Sequence, residues 1–130
     1  VVQTVALARF VNKEKHERYE AALNAHEGDL DKKALEKIKK EFPPVDVADF
    51  VDHIDYIKNK IGVDHVGISS DFDGGGGIEG WQDASETFNV TLELVKRGYT
   101  EKEIAQIWSG NLLRVLNQTQ KIANDLQNKN

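Results

Sequence analysis

Apolar positions recur along this chain in two rhythms, and glycine, proline and capping residues mark where one gives way to the other. Val1 to Val11 is apolar, β-branched at several positions and free of glycine and proline, which predicts a buried strand running into its following loop. From Asn12, a plausible N-cap, Lys13 to Glu27 sets Tyr19, Ala22, Leu23 and Ala25 among charges and meets Gly28 as a stop, the pattern of a polar surface helix. A shorter helix is expected after Asp29, through Leu35 and Ile38, until Pro43-Pro44 ends it. Val47, Phe50, Val51, Ile54, Ile57 and Ile61 then recur at three- and four-residue steps up to Gly62, the clearest amphipathic helix of the chain.

Val63 to Ser70 is a short β-rich run, a second strand, and Asp71 to Asp83 holds five of the ten glycines, which predicts an irregular loop. Ala84 to Arg97 returns to helical spacing through Phe88, Leu92 and Val95, and Gly98 ends it. Thr100-Glu101-Lys102-Glu103 fits a capping box and opens a helix whose Ile104 and Ile107 face a core. Gly110-Asn111 is expected to break that helix before a last one carries Leu112, Leu113, Val115, Leu116 and Ile122 into a polar tail. The order β, α, α, α, β, α, α, α implies α/β architecture, with parallel strands joined by right-handed crossovers. A parallel sheet needs both faces covered and its edges paired, so two strands ask for neighbours that the sequence does not supply.

At 130 residues, positions 1–130 are read as a single unit of ordinary globular composition, with 39% apolar and 30% charged residues. A net charge of −5 argues against a nucleic-acid partner, whose affinity rests on clustered Lys and Arg. The most basic stretch, Lys32 to Lys40, carries Ala34, Leu35, Glu36 and Ile38 at helical spacing and reads as a solvated helix face. The absence of cysteine excludes disulfides, thiolate zinc sites and cysteine nucleophiles. No apolar run approaches the roughly 20 residues of a membrane span. The chain opens inside an apolar run and contains no Met, which reads as a cut in a longer polypeptide.

Chemistry concentrates in His65-Val66-Gly67-Ile68-Ser69-Ser70-Asp71-Phe72-Asp73-Gly74, a strand that delivers acidic residues into a glycine loop. In α/β barrels catalytic groups sit at this end of a strand, because the following loops form the mouth of the site. Asp71 is the candidate. A carboxylate there could accept a proton, hold a metal or bind a substrate ammonium group, or it could simply cap the loop by bonding the amides that come after it. Gly75-Gly76-Gly77-Ile78-Glu79-Gly80 satisfies GxGxxG, but Asp71 and Asp73 stand between it and the strand and would repel a pyrophosphate. Calcium is not expected, since Gly75 and Gln82 occupy positions where a calcium loop needs oxygen ligands, and no Walker lysine follows the glycines. His53, near Asp49 and Asp52, reads as part of a surface pair. His16 and His26 read as solvated, and His65 opens the second strand at the opposite end from Asp71. No HxH, HxD or HExxH pattern occurs.

From Pro43 onward the chain resembles the closing region of the membrane (renal) dipeptidases, the zinc-dependent peptidase family M19. The resemblance runs through Pro43-Pro44, Val47 to Tyr56, Gly62 to Gly74, Arg97 to Ile104 and Trp108 to Val115, in that order; the glycine run with Trp81 and Asp83 to Glu86 looks like the bacterial branch. It implies strands seven and eight of a (β/α)₈ barrel in which two zinc ions hold a bridging hydroxide that attacks the peptide bond of a dipeptide. It also implies that Asp71 is the strand-eight aspartate assigned to proton transfer and to contact with the substrate's amino end, with Asp73 as the alternative substrate contact. The family's metal ligands, an HxD pair, a bridging Glu and two later histidines, have no counterpart here, nor does its substrate-binding Arg. Leu7 and Ala8 stand where some relatives carry a Tyr. The fragment alone is therefore expected to be inactive, to need the remainder of the barrel or another copy of the chain, and to come from a parent with an extracytoplasmic location. The competing reading is a non-enzymatic α/β interaction module that dimerises to complete its sheet.

Overall fold

The computed structural model describes residues 1–128. Strands β1 (Val2–Val5) and β2 (Val66–Ser69) pair in parallel, Val2 opposite Val66 and Val5 opposite Ser69. The buried Thr4 hydroxyl adds a bond to the Gly67 carbonyl at 3.0 Å, and the Ala6 amide extends the ladder to Ser69 O. β1 is shorter than its apolar run suggests. After Leu7 the chain turns into a four-residue helix, α1 (Ala8–Val11), because the amides of Phe10 and Val11 bond to the Leu7 carbonyl rather than to a neighbouring strand.

Helices α2 (Lys13–Asn24) and α3 (Lys32–Glu41) come next, capped by the side chains of Asn12 and Asp31, and neither contains a fully buried residue. His16 and His26 are half-buried rather than solvated. Helix α4 (Val47–Ile61) lies against the sheet and buries Phe50, Val51 and Ile54. Asp46 and Asp49 form a capping box at its start, and Lys15 of α2 reaches both carboxylates, at 3.1 Å and 2.5 Å, so that α2 is fastened to the start of α4. His53 is not part of a surface pair: its Nε2 lies 2.7 Å from the Val11 carbonyl and ties the end of α1 to α4.

A 3₁₀ turn, Val63–His65, precedes β2, so His65 sits before the strand rather than in it. After the glycine loop come a 3₁₀ turn, Ala84–Glu86, and helix α5 (Thr87–Lys96), which buries Val90 and Leu94. Thr100 and Glu103 form the expected capping box of α6 (Glu101–Ala105). The helical path is not broken at Gly110-Asn111. A π-helical turn over Gln106–Gly110, closed by the Asn111 amide on the Gln106 carbonyl, carries the chain directly into α7 (Asn111–Gln127). The extra residue in that turn aims Asn111 inward, where it is 1% exposed and its Nδ2 donates to the carbonyls of Val63 (2.7 Å) and Val66 (2.9 Å). Gln106 and Arg114 grip the same turn through the Asp64 carboxylate and carbonyl.

Phe50, Trp81, Ile54, Ile78, Leu94 and Ile107 dominate the core between the sheet and the helices. Beyond Asn111, α7 leaves its apolar positions uncovered: Leu112, Leu116, Ile122 and Leu126 are 48%, 49%, 59% and 60% exposed. At the other end of the helical layer Arg97 bonds the carboxylates of Asp52, Asp55 and Glu93 and the Ala48 carbonyl, and the buried Tyr99 hydroxyl donates to Asp55. Burial first, and that hydrogen bond second, raise the Tyr99 pKa well above the ordinary phenol value.

Replacing Asn111 by Leu removes two hydrogen bonds: the Val63 carbonyl keeps the Val66 amide, but the buried Val66 carbonyl loses this donor, at a cost of about 1–3 kcal/mol. In the intact protein the variant is expected to unfold at distinctly lower denaturant, as read by a urea titration. Because folding raises the Tyr99 pKa, its contribution is fully present below pH ~10 and is lost as pH rises through the folded value. Tyr99→Phe is therefore expected to cost about 1 kcal/mol at neutral pH, with the gap to the unsubstituted protein closing above pH ~10 in thermal melts.

Candidate active site

β2 ends at Ser69, and two residues later the chain enters the left-handed region that glycine favours and that, among other residues, Asn and Asp adopt most often. Asp71 has φ 57° and ψ 30°, the one left-handed non-glycine residue among those described. Such a backbone costs on the order of 1–3 kcal/mol and persists only where the surroundings fix it. Here the Asp71 carbonyl accepts the amides of Gly74 (3.0 Å) and Gly76 (2.7 Å), closing the 3₁₀ turn Phe72–Gly74 and the residues after it into a tight loop. A Cβ on Gly76 would stand 2.1 Å from the Ser70 carbonyl oxygen and 2.6 Å from that of Asp71, so this close approach of main chain to main chain requires glycine.

The rest of the loop is pinned as firmly. The Gly77 amide bonds to Ala6 O at 2.8 Å, just past the end of β1. The Glu79 amide bonds to Val45 O, and the Glu79 carbonyl accepts the Val47 amide at the start of α4. The Glu79 carboxylate holds Lys39 of α3 at 2.7 Å through both oxygens. Phe72 meets the buried Trp81 edge-on at 5.4 Å; Trp81 also packs on Phe50 (5.4 Å) and Trp108 (6.1 Å) and donates its indole N–H to Thr87. A segment with five glycines thus has its course fixed by backbone pairing and aromatic packing.

The Asp71 side chain takes no part in this scaffolding. It makes no capping bond to the amides after it, which is where a loop-capping aspartate would spend its oxygens, and it joins no ion pair among the described residues. The carboxylate is half-buried and lies against Gly74. Asp73, inside the 3₁₀ turn, is exposed. Strand β2 separates both from His65. A cavity of about 440 Å³ opens on the same side, between Leu7 and Arg9 after β1, His16 and Tyr19 on α2, and Gly75 and Gln82 of the loop. Among the described residues no three His, Cys, Asp or Glu side chains gather closely enough to hold a metal ion.

The arrangement supplies one carboxylate on a strained, rigidly held backbone at the C-terminal ends of two parallel strands, free to exchange a proton or bind a cation. Reading the residues alone singled out Asp71 as the candidate and took the glycines merely as irregularity. The distinct roles of Gly74 and Gly76 lie in close approaches that no periodicity reveals.

The family model described as membrane dipeptidase (peptidase family M19) matches residues 1–130. Dipeptidase aclJ of Aspergillus oryzae is 41% identical over 81 residues, 62% of this chain and 19% of its own length. Human dipeptidase 3 is 38% identical over 78 residues, 58% of this chain and 16% of its own. The crystal structure of the probable dipeptidase PvdM from Pseudomonas aeruginosa superposes on 93% of this chain and 37% of its own with a TM-score of 0.69 and 36% sequence identity. The chain therefore spans less than a fifth of these two curated relatives and little more than a third of the solved structure. With the match covering every residue and the fold shared with a probable dipeptidase, this chain belongs to the membrane dipeptidase family, peptidase family M19.

Proposed function

We propose that this chain is the C-terminal part of a zinc-dependent dipeptidase, that β1 and β2 are strands seven and eight of its (β/α)₈ barrel, and that Asp71 is its proton-transfer carboxylate. The observation that carries the reading is Asp71 itself, a left-handed residue directly after a parallel strand, its carboxylate uncommitted while its carbonyl organises the loop. Strain of this kind concentrates where a side chain must be aimed for function.

The barrel assignment is supported by what the fold leaves open. Each strand has one unpaired edge, and α7 presents an uncovered apolar stripe, both of which further strands and helices of a larger parallel barrel would cover. The unit 1–130 is then one section of that barrel rather than a free-standing domain. The described residues do not fit a metal centre, so the ligands of two zinc ions would come from the remainder of the protein, and the section alone would not turn over a dipeptide. Within the section, Asp71 can take a proton from the attacking nucleophile and return it to the departing amine, while attracting the ammonium end of the substrate. Asp73, exposed beside it, is the second candidate for that ammonium contact.

In the intact protein Asp71→Asn is expected to lower kcat by about 10²–10⁴ with zinc content unchanged, the usual range for losing a general acid–base group. Asp73→Asn is expected to act on KM alone. Dipeptide hydrolysis by Asp71→Asn within about twofold of the unsubstituted enzyme would remove Asp71 from the chemistry.

A further inference from the structure

We infer that Gly74 is a positioning residue for Asp71, its bare Cα being the seat on which the Asp71 carboxylate rests. A Cβ on Gly74 would lie 2.3 Å from Asp71 Oδ1, 2.9 Å from Cγ and 3.1 Å from Oδ2, so its three nearest neighbours are all atoms of that one carboxyl group. Neither carboxylate oxygen nor a methyl carbon tolerates such a separation, since non-bonded contacts are favourable only near 3.5–4.0 Å. The main chain makes no such demand: Gly74 is absent from the positive-φ glycines, so its conformation suits an ordinary L residue.

Its neighbours are glycine for other reasons. Gly75 has φ +98° and open space around it, so there the backbone conformation sets the requirement. At Gly76 the obstacle is the main-chain oxygens of Ser70 and Asp71, which cannot move without undoing the loop. At Gly74 the three nearest obstacles all belong to the tip of an aspartate side chain, which can rotate about its own two torsions. A methyl group there should leave the loop closed and turn the carboxylate away from the place it holds now. Displacing a reacting group by about 1 Å can cost 10²-fold in rate even when every other contact survives.

This inference rests on Asp71 being the proton-transfer group, and a double-mutant cycle separates the two ideas. The experiment uses the intact metal-loaded protein with Gly74→Ala, Asp71→Asn and both together, measuring kcat, its pH profile, zinc content and thermal midpoint on a dipeptide substrate. Gly74→Ala is expected to lose about 10–10²-fold in kcat and to shift the acidic limb of the profile, at nearly unchanged midpoint and zinc content. In the Asp71→Asn background the same change is expected to cost less than about twofold, because the group it displaces is already disabled. If Asp71→Asn alone is harmless, the proton-transfer reading falls and takes the positioning role with it. If Asp71→Asn is crippling but Gly74→Ala is as active as the unsubstituted protein, or loses equally in both backgrounds, the Gly74 inference alone falls. Failure of Gly74→Ala to fold would also overturn it, by showing that the main chain and not the carboxylate requires glycine.

Discussion

The placement of the site depends on one buried amide. Asn111 bonds the carbonyls on either side of the turn that launches β2, and so sets where the strand begins relative to the C-terminal helices. Side chains alternate faces along a strand, so a slip of a single residue would turn Ile68 away from the core and displace Asp71 with it. The π-helical turn before Asn111 matters for the same reason, since a regular helix through Gln106–Gly110 would rotate that amide by roughly the 100° that one residue occupies around an α-helix. Gln106 and Arg114, gripping Asp64 from either side of Asn111, make the attachment a clamp.

From that fixed start the loop after β2 is held at intervals by unrelated parts of the fold: by Ala6 past the end of β1, by Val45 and Val47 at the head of α4, by Lys39 from α3, and by Trp81 in the core. Lys15 reinforces the same region by bridging α2 to the capping carboxylates of α4. The elements that build the mouth are therefore tied to one another and not only to the loop they support. A carboxylate carried on such a frame has little reorganisation left to undergo during a reaction, which is the condition under which electrostatic catalysis is most effective.

Much of this was readable from residue patterns. Helix α4 announced itself by apolar spacing and Gly62, α6 by Thr100 and Glu103, and Asp71 by its place after a β-rich run. The errors fell where distant contacts overrule local preference. Val1 to Val11 has strand composition throughout, yet the Leu7 carbonyl draws the later half into a helix. Gly110-Asn111 looks like a break because both residues disfavour helix interiors, and the bonds that Asn111 makes almost fifty residues away reverse that preference. His53 looked like a member of a charged surface pair because its partner, the Val11 carbonyl, has no side chain for a pattern to register. The family resemblance reached further than the pattern, since the membrane dipeptidase model matches residues 1–130, including stretches whose local spacing alone was misleading.

The sheet has a kinetic consequence as well. The bond from Thr4 to Gly67 joins residues 63 positions apart, and closing a flexible loop of that length costs on the order of 4 kcal/mol in chain entropy before any strand contact repays it. The helices between them are built from local bonds and need not wait. As the polypeptide emerges N-terminus first, β1 must therefore remain unpaired with β2 while α2, α3 and α4 take shape, and the loop carrying Asp71 can close only after that meeting. The loop after β2 is thus among the last parts of this chain to take shape.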